Sequence, residues 1–401
     1  MMHLPFQTLK FFTEKRVDFM KRVLAVLMCA VLLTGCFQLE KKETTKKQVG
    51  VWLTYSEVNS MLDGDFKAEF QKLIKNCKTL EVKNLYIHIR AFGDSLYKSK
   101  YFPLNEKAQK YDFDILKYVI TLCHKNGISV HAWINPYRIS TATQNVDEIN
   151  NKSPAYLWQR DAIPENDKNV CFSDGIYLNP AESEVRRLIL NGVREVVKNY
   201  DIDGIHYDDY FYPTQSEEFD KASYDTYIKT TNNPLSLADW RRANVDALIS
   251  GTYNAIKFEK SGVIFSVSPA VSVDNNFENL YADVSSWVKN GYVDVIMPQL
   301  YFGFEYPDED FKFSNLLNAW KELSNQNENV KLIIGLAFYK AKPTLSADIT
   351  EWQENDDIIA RQVDLIEKDS KADGWVYFSY SSLFSEAEEF KNQRENLKER
   401  Q

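Results

Sequence analysis

A chain of 401 residues with 44% apolar and 26% charged residues holds ample material for a large core, which rules out disorder over most of its length. Its net charge of −9 argues against a nucleic-acid partner, because phosphate binding needs clustered Lys and Arg that release counterions. A neutral substrate suits this balance better, while length alone leaves open both one large α/β barrel and two or three ordinary domains.

Met20-Lys21-Arg22 and the apolar run Val23 to Leu33 form a charged start followed by a segment too short to span a bilayer comfortably, which reads as an export signal. Its end, Leu33-Thr34-Gly35-Cys36, resembles a bacterial lipobox, with Cys36 as the lipidated residue and Met20 as a more natural start than Met1. Residues 1–36 are therefore expected to be a lipoprotein signal, and an anchor of several acyl chains would keep the mature protein on a membrane. Residues 37–48, rich in Lys, Glu and Thr, read as a flexible tether. Of the remaining cysteines, Cys77, Cys123 and Cys171 lack CxxC spacing; a Cys77–Cys123 pair is conceivable, but buried thiols are preferred.

From residue 49 to 401 short apolar runs alternate with amphipathic stretches, the pattern of parallel βαβ units. Strands are predicted at Val49 to Thr54, Asn84 to Arg90, Ser129 to Pro136, Asp203 to Tyr210, Val263 to Ala270, Asp294 to Tyr301, Leu332 to Tyr339 and Gly374 to Ser381. Helices are predicted between and after them, including Asp112 to Asn126, Ala238 to Lys260, Tyr281 to Asn290, Phe311 to Asn325, Asp357 to Lys368 and Ser385 to Arg400. Eight strand–helix repeats predict a single (β/α)8 TIM barrel, with an open doubly wound sheet as the alternative. No G-x-G-x-x-G follows an early strand and no G-x-x-x-x-G-K-[ST] occurs, so no cofactor is expected. Two intervals, Tyr137 to Pro180 and Phe211 to Leu237, are too long for plain connections; both follow strand C-termini, the face where barrel enzymes carry their sites.

The strand ends carry Trp52; His88, Arg90 and Asp94; His131, Trp133, Asn135, Tyr137 and Arg138; His206 and Tyr210; Gln299 and Tyr301; Tyr339; and Tyr380. Stacking rings, amides and guanidiniums with few carboxylates suit a carbohydrate, and these residues are the expected substrate contacts. The fourth strand ends in Asp208-Asp209. Glycosidic cleavage needs a proton donor for the leaving oxygen and a carboxylate facing positive charge at the anomeric carbon. Strand alternation aims His206 and Asp208 together and sends Asp209 away, unless a bulge reverses them. Asp208 is thus the expected principal carboxylate, with its partner among Asp209, Asp274, Glu305 and Asp94. Asp274 is preferred because a fifth-strand loop lies beside the fourth. His88, His131 and His206 with Asp208 raise a rival metal reading, but no H-x-H or H-E-x-x-H pair supports it, and no metal is expected.

Several motifs in order resemble the bacterial glycosyl hydrolase-like 10 family: Gly50 to Thr54, Ile89-Arg90 with Gly93-Asp94 and Tyr97, and His131 to Arg138. Tyr177 to Ala181, Asp203 to Pro213, Trp240 to Val245, Val267 to Pro269 and Met297 to Tyr301 continue it, so that the similarity covers residues 49 to 384. The resemblance implies an exported (β/α)8 barrel that hydrolyses glycosides at the bacterial surface, with peptidoglycan strands stripped of stem peptides as a substrate. It places Asp208 and Asp209 on the family's Asp-Asp-Tyr motif. His88 stands where Gln is expected and Ala91 where Pro is expected, which leaves the second-strand contacts open. The expected partners are a polysaccharide and, through the lipid, a membrane. A non-catalytic glycan-binding lipoprotein and a metal-dependent polysaccharide deacetylase are the alternatives.

Overall fold

The structure is a computed structural model and describes residues 46–342 and 349–399. The expected export signal, the lipidation site Cys36 and tether residues 37–45 lie outside the described residues. Residues from Lys47 onward form one unit.

Eight parallel strands close into a barrel: β1 (Gln48–Leu53), β2 (Asn84–Arg90), β3 (Ser129–Ile134), β4 (Gly204–Tyr207), β5 (Ile264–Val267), β6 (Val295–Ile296), β7 (Lys331–Leu336) and β8 (Ala372–Tyr377). They pair in chain order, and β8 returns to β1 with Gly50 opposite Val376. The predicted TIM barrel is the observed fold, with each predicted strand in place. The strands other than β2 end earlier at their C-terminal ends than the apolar runs suggested, while β2 has the predicted bounds. In β6 the ladder is interrupted at Pro298, which has no N–H to give, and pairing resumes at Gln299 opposite Gly335.

Alternation divides the side chains into two layers. Trp52, Tyr86, Trp133, Val295, Met297, Ile333 and Val376 fill the barrel interior. Their neighbours Val51, Leu53, Leu85, Ile87 and Tyr207 face outward into the larger core beneath the helices. Helix Ser183–Asn199 contributes Val185, Ile189, Val193, Val196 and Val197 to that core, spaced as one apolar face.

The N-terminal rim repeats a single device. Asp203, Asp294 and Asp373, each just before or at the start of an even-numbered strand, accept from Val130, Phe265 and Leu332 backbone N–H groups on the preceding strand at 2.7, 2.7 and 2.9 Å. These carboxylates satisfy backbone donors at the rim and pin the register of neighbouring strands.

The opposite rim carries the long loops. After β3 the chain builds a three-stranded antiparallel sheet of Arg138–Ser140, Val170–Phe172 and Ile176–Leu178, with the helix Pro154–Arg160 beside it. The β4 loop carries the helix Lys221–Thr230. A third long loop, after β2, holds the turn Lys107–Lys110. Cys77, Cys123 and Cys171 are free, buried thiols, and burial pushes the Cys77 thiol up to about 12.

Candidate active site

The C-terminal mouth of the barrel opens into a cavity of about 470 Å³. Ten of the residues singled out from sequence line it: Trp52, His88, Trp133, Arg138, Asp208, Asp209, Tyr210, Gln299, Tyr301 and Tyr339. Thr54, Tyr55, Ser56, Phe92, Ser268 and Phe378 complete the lining.

Asp208 is buried at the floor. Trp133 Nε1 donates to its Oδ2 at 3.1 Å and Asn135 Nδ2 to its Oδ1 at 3.0 Å. His88 Nδ1 accepts from the Tyr55 backbone N–H at 3.1 Å, so the ring proton sits on Nε2 when His88 is neutral. That Nε2 stands 3.8 Å from Asp208 Oδ2, beyond hydrogen-bond reach, and burial holds His88 below the ordinary histidine range. Burial would raise Asp208, but the facing His88 and Trp133 N–H groups and the Arg138 charge outweigh it, holding the carboxyl below its usual range.

Asp209 is the counterpart. β4 ends at Tyr207, strand alternation lapses there, and Asp209 turns into the same cavity as Asp208. The expectation that the two would point apart is corrected accordingly. Burial, then the charge of Asp208, pushes Asp209 up to about 7, against the opposing effect of the nearby Gln299 amide, whose Nε2 donates to the Ser268 carbonyl at 3.0 Å. Two adjacent carboxyls therefore occupy different protonation states near neutral pH, one ionised and one able to hold a proton.

Around them stand rings. The Arg138 guanidinium lies 4.8 Å from the ring centres of both Phe92 and Tyr210, and its Nε donates to the Ala91 carbonyl at 3.3 Å. Tyr210 remains 55% exposed, so a face is open to a ligand. Tyr301, Tyr339 and Phe378 form a second aromatic wall with centroid spacings of 5.7 to 6.0 Å.

Other expected contacts lie elsewhere. His206 sits below the cavity: Trp52 Nε1 donates to its Nε2 at 3.0 Å, so Nδ1 carries the proton and donates to Ser266 Oγ at 2.8 Å. Burial pushes it down to about 3 and keeps it neutral. His131 stacks on Tyr86 at 4.4 Å, in the room left by Gly204, whose added Cβ would fall 2.2 Å from His131 Nδ1. These histidines support the barrel interior, and among the described residues no group of three or more His, Cys, Asp or Glu side chains is arranged to hold a metal ion. Arg90, past a register shift in β2, stacks on Phe102 at 4.2 Å away from the cavity. Tyr137 is buried in the outer core, and Tyr380 accepts from Asn76 Nδ2 at 3.0 Å. Asn135 reaches the site only through Asp208.

Asp274 lies exposed in the first turn of the helix Val273–Glu278 and does not line the cavity. Glu305 is exposed as well, and Asp94 belongs to an adjoining cavity. Tyr55, at the end of the first predicted strand, lines the cavity, whereas Phe92 and Phe378 were absent from the expected contacts; their position just beyond β2 and β8 was the available signal.

The family model described as Glycosyl hydrolase-like 10 matches residues 47–354. Glycosyl hydrolase YngK of Bacillus subtilis is 29% identical over 340 residues, covering 79% of this chain and 64% of that protein. Glycosyl hydrolase DigH of Escherichia coli K12 is 30% identical over 333 residues, covering 76% of this chain and 73% of that protein. The chain thus spans somewhat under two thirds of YngK. Among solved structures, the PgaB (BpsB) glycoside hydrolase domain from Bordetella bronchiseptica superposes with a TM-score of 0.57 at 13% identity, covering 88% of this chain and 98% of that one. The catalytic domain of β-amylase from Paenibacillus polymyxa has the same TM-score at 11% identity, again with 88% and 98% coverage. At such identities these two likenesses speak to the fold alone.

Proposed function

The chain belongs to the glycosyl hydrolase-like 10 family, and from that premise we propose that it cleaves glycosidic bonds in a cell-envelope polysaccharide, with peptidoglycan strands lacking stem peptides as the substrate. The observation that carries this reading is the divergent pair at the floor of one aromatic-walled cavity, Asp208 held ionised and Asp209 raised to about 7.

In this reading Asp209 gives its proton to the glycosidic oxygen as the bond to the anomeric carbon breaks. Asp208 faces the positive charge that develops there, held in place by Trp133 and Asn135. A water oxygen then bonds to the anomeric carbon and its proton restores Asp209, so the balance is one water consumed per bond. Tyr210 and the Tyr301–Tyr339 wall offer flat faces to sugar rings. Cys36 acylation would hold the barrel at a membrane facing the envelope, within reach of an insoluble polymer.

The test is mass analysis of products from purified peptide-free peptidoglycan strands, with wild type and Asp208→Asn. New reducing ends from the wild type and none from a folded Asp208→Asn variant support the reading. Anhydro ends, loss of acetyl mass, or unaltered activity in the variant would each refute it.

A further inference from the structure

The catalytic cavity has a neighbour on each side. A cavity of about 490 Å³ adjoins it across Tyr55 and Phe92, which line both. On the other side a cavity of about 410 Å³ shares Asp209, Gln299, Tyr301 and Tyr339 with it. The three cavities adjoin through these shared side chains, and the carboxyl pair lines the middle one.

The two arms differ in chemistry. In the first, Asp94 accepts from Asn105 Nδ2 at 2.6 Å and from Tyr55 Oη at 3.4 Å, and burial raises its pKa. Ser153 Oγ and Asn59 Oδ1 in this arm are buried and lack a hydrogen-bond partner in the chain. Buried polar groups left unpaired are costly, and such groups beside a cavity are where ligand hydroxyls are expected. The second arm is aromatic, lined by Phe302 and Tyr306 in edge contact at 4.8 Å beyond Tyr301.

We propose that these arms are sugar subsites on either side of the scissile bond: a hydroxyl-reading arm at Asn59, Asp94, Asn105 and Ser153, and a stacking arm at Phe302 and Tyr306. The enzyme is then endo-acting, cutting within a glycan that lies across the mouth. This rests on the glycosidase reading for the identity of the site, but the groove can be tested by binding alone. A pocket closed at one end would hold a chain terminus; this one continues past the carboxyl pair in both directions.

Peptide-free glycan oligomers of four, six and eight sugars are the probes, with early products read by mass and binding read by calorimetry on Asp208→Asn. The wild type is expected to cut internal bonds first, with kcat/KM rising with length. Ala142→Trp, which fills the exposed edge of the first arm, and Tyr306→Ala, which strips a ring from the second, should each lower the long-to-short ratio of kcat/KM, the latter about tenfold, the size of one lost stacking contact. Release of one or two sugars from a single end at length-independent rates would overturn the proposal. If the wild type cleaves nothing while Asp208→Asn binds longer oligomers more tightly and both arm substitutions weaken that binding, the groove stands and the hydrolase reading falls. Length-independent binding, or no binding, overturns the groove.

Discussion

Trp133 Nε1 donates to Asp208 Oδ2 at 3.1 Å, and the same side chain lies nearly parallel to the His88 ring at a centroid distance of 3.3 Å. One indole therefore does two things: it stabilises the ionised carboxylate and holds in place the imidazole that faces it. Trp133→Phe keeps an aromatic ring against His88 while deleting the donor along with part of the ring's bulk. A hydrogen bond to a charged group contributes roughly 1.5 to 3 kcal/mol, so kcat/KM should fall about 10- to 100-fold. Asp208 should titrate at higher pH, moving the acidic limb of the pH–rate profile upward. An unmoved acidic limb would show that Trp133 does not tune Asp208.

The pair also sets the overall pH profile. If the proposed roles hold, activity requires Asp208 ionised and Asp209 protonated, so it should rise as pH passes the lowered pKa of Asp208 and fall as pH passes about 7. The optimum is then mildly acidic. Gln299 favours the ionised form of Asp209, so Gln299→Ala should move the basic limb to higher pH. Initial rates from pH 3 to 9 on soluble glycan oligomers would check both limbs, and a basic limb moving downward would contradict the assignment.

Much of this arrangement was legible in the sequence because strands of a parallel barrel are buried on both faces and so read as apolar runs. Asp208 was legible through alternation: His206, two residues before it, points into the barrel. Asp209 was not, since a period of two ends with the strand, and β4 ends at Tyr207. The preference for Asp274 rested on loop adjacency, but the chain after β5 winds into a helix whose first turn carries that carboxylate to the surface. Arg90 was misplaced by the register shift after His88, an irregularity that no residue pattern announces. The groove arms arise from loops that meet only once the barrel has closed.

The buried ion pair Arg241–Asp220, at 2.6 Å with both side chains inaccessible, holds the β4 loop against the long helix Leu237–Glu259. Arg241 also donates to the Gln215 and Ser216 carbonyls and to Tyr281 Oη. Arg241→Ala would leave the Asp220 carboxylate buried and unpaired, at a cost of roughly 3 to 5 kcal/mol. Urea unfolding should show that loss, whereas the isosteric Asp220→Asn, which leaves a neutral acceptor, should lose less. Equal losses would mean that the charge pair dominates and that the carbonyl contacts add little.

Asp209 makes a prediction on stability that separates it from Asp208. Its folded pKa of about 7 lies above the ordinary aspartate value near 3.8, so between these values the native state binds more protons than the unfolded state. Stability contributed by the protonated form is thus fully present below about pH 4 and lost as pH rises through 7. Asp209→Asn removes that loss: its Tm should match the wild type near pH 4 and exceed it at pH 8, although activity is abolished. Asp208 has the opposite sign. Its lowered pKa contributes stability above the ordinary aspartate value, lost as pH falls through the folded pKa, so Asp208→Asn should be less stable than wild type at pH 8. Thermal melts of the three proteins at pH 4, 6 and 8 decide the matter: if Asp209→Asn gains nothing on going from pH 4 to 8, Asp209 is not the protonated member of the pair.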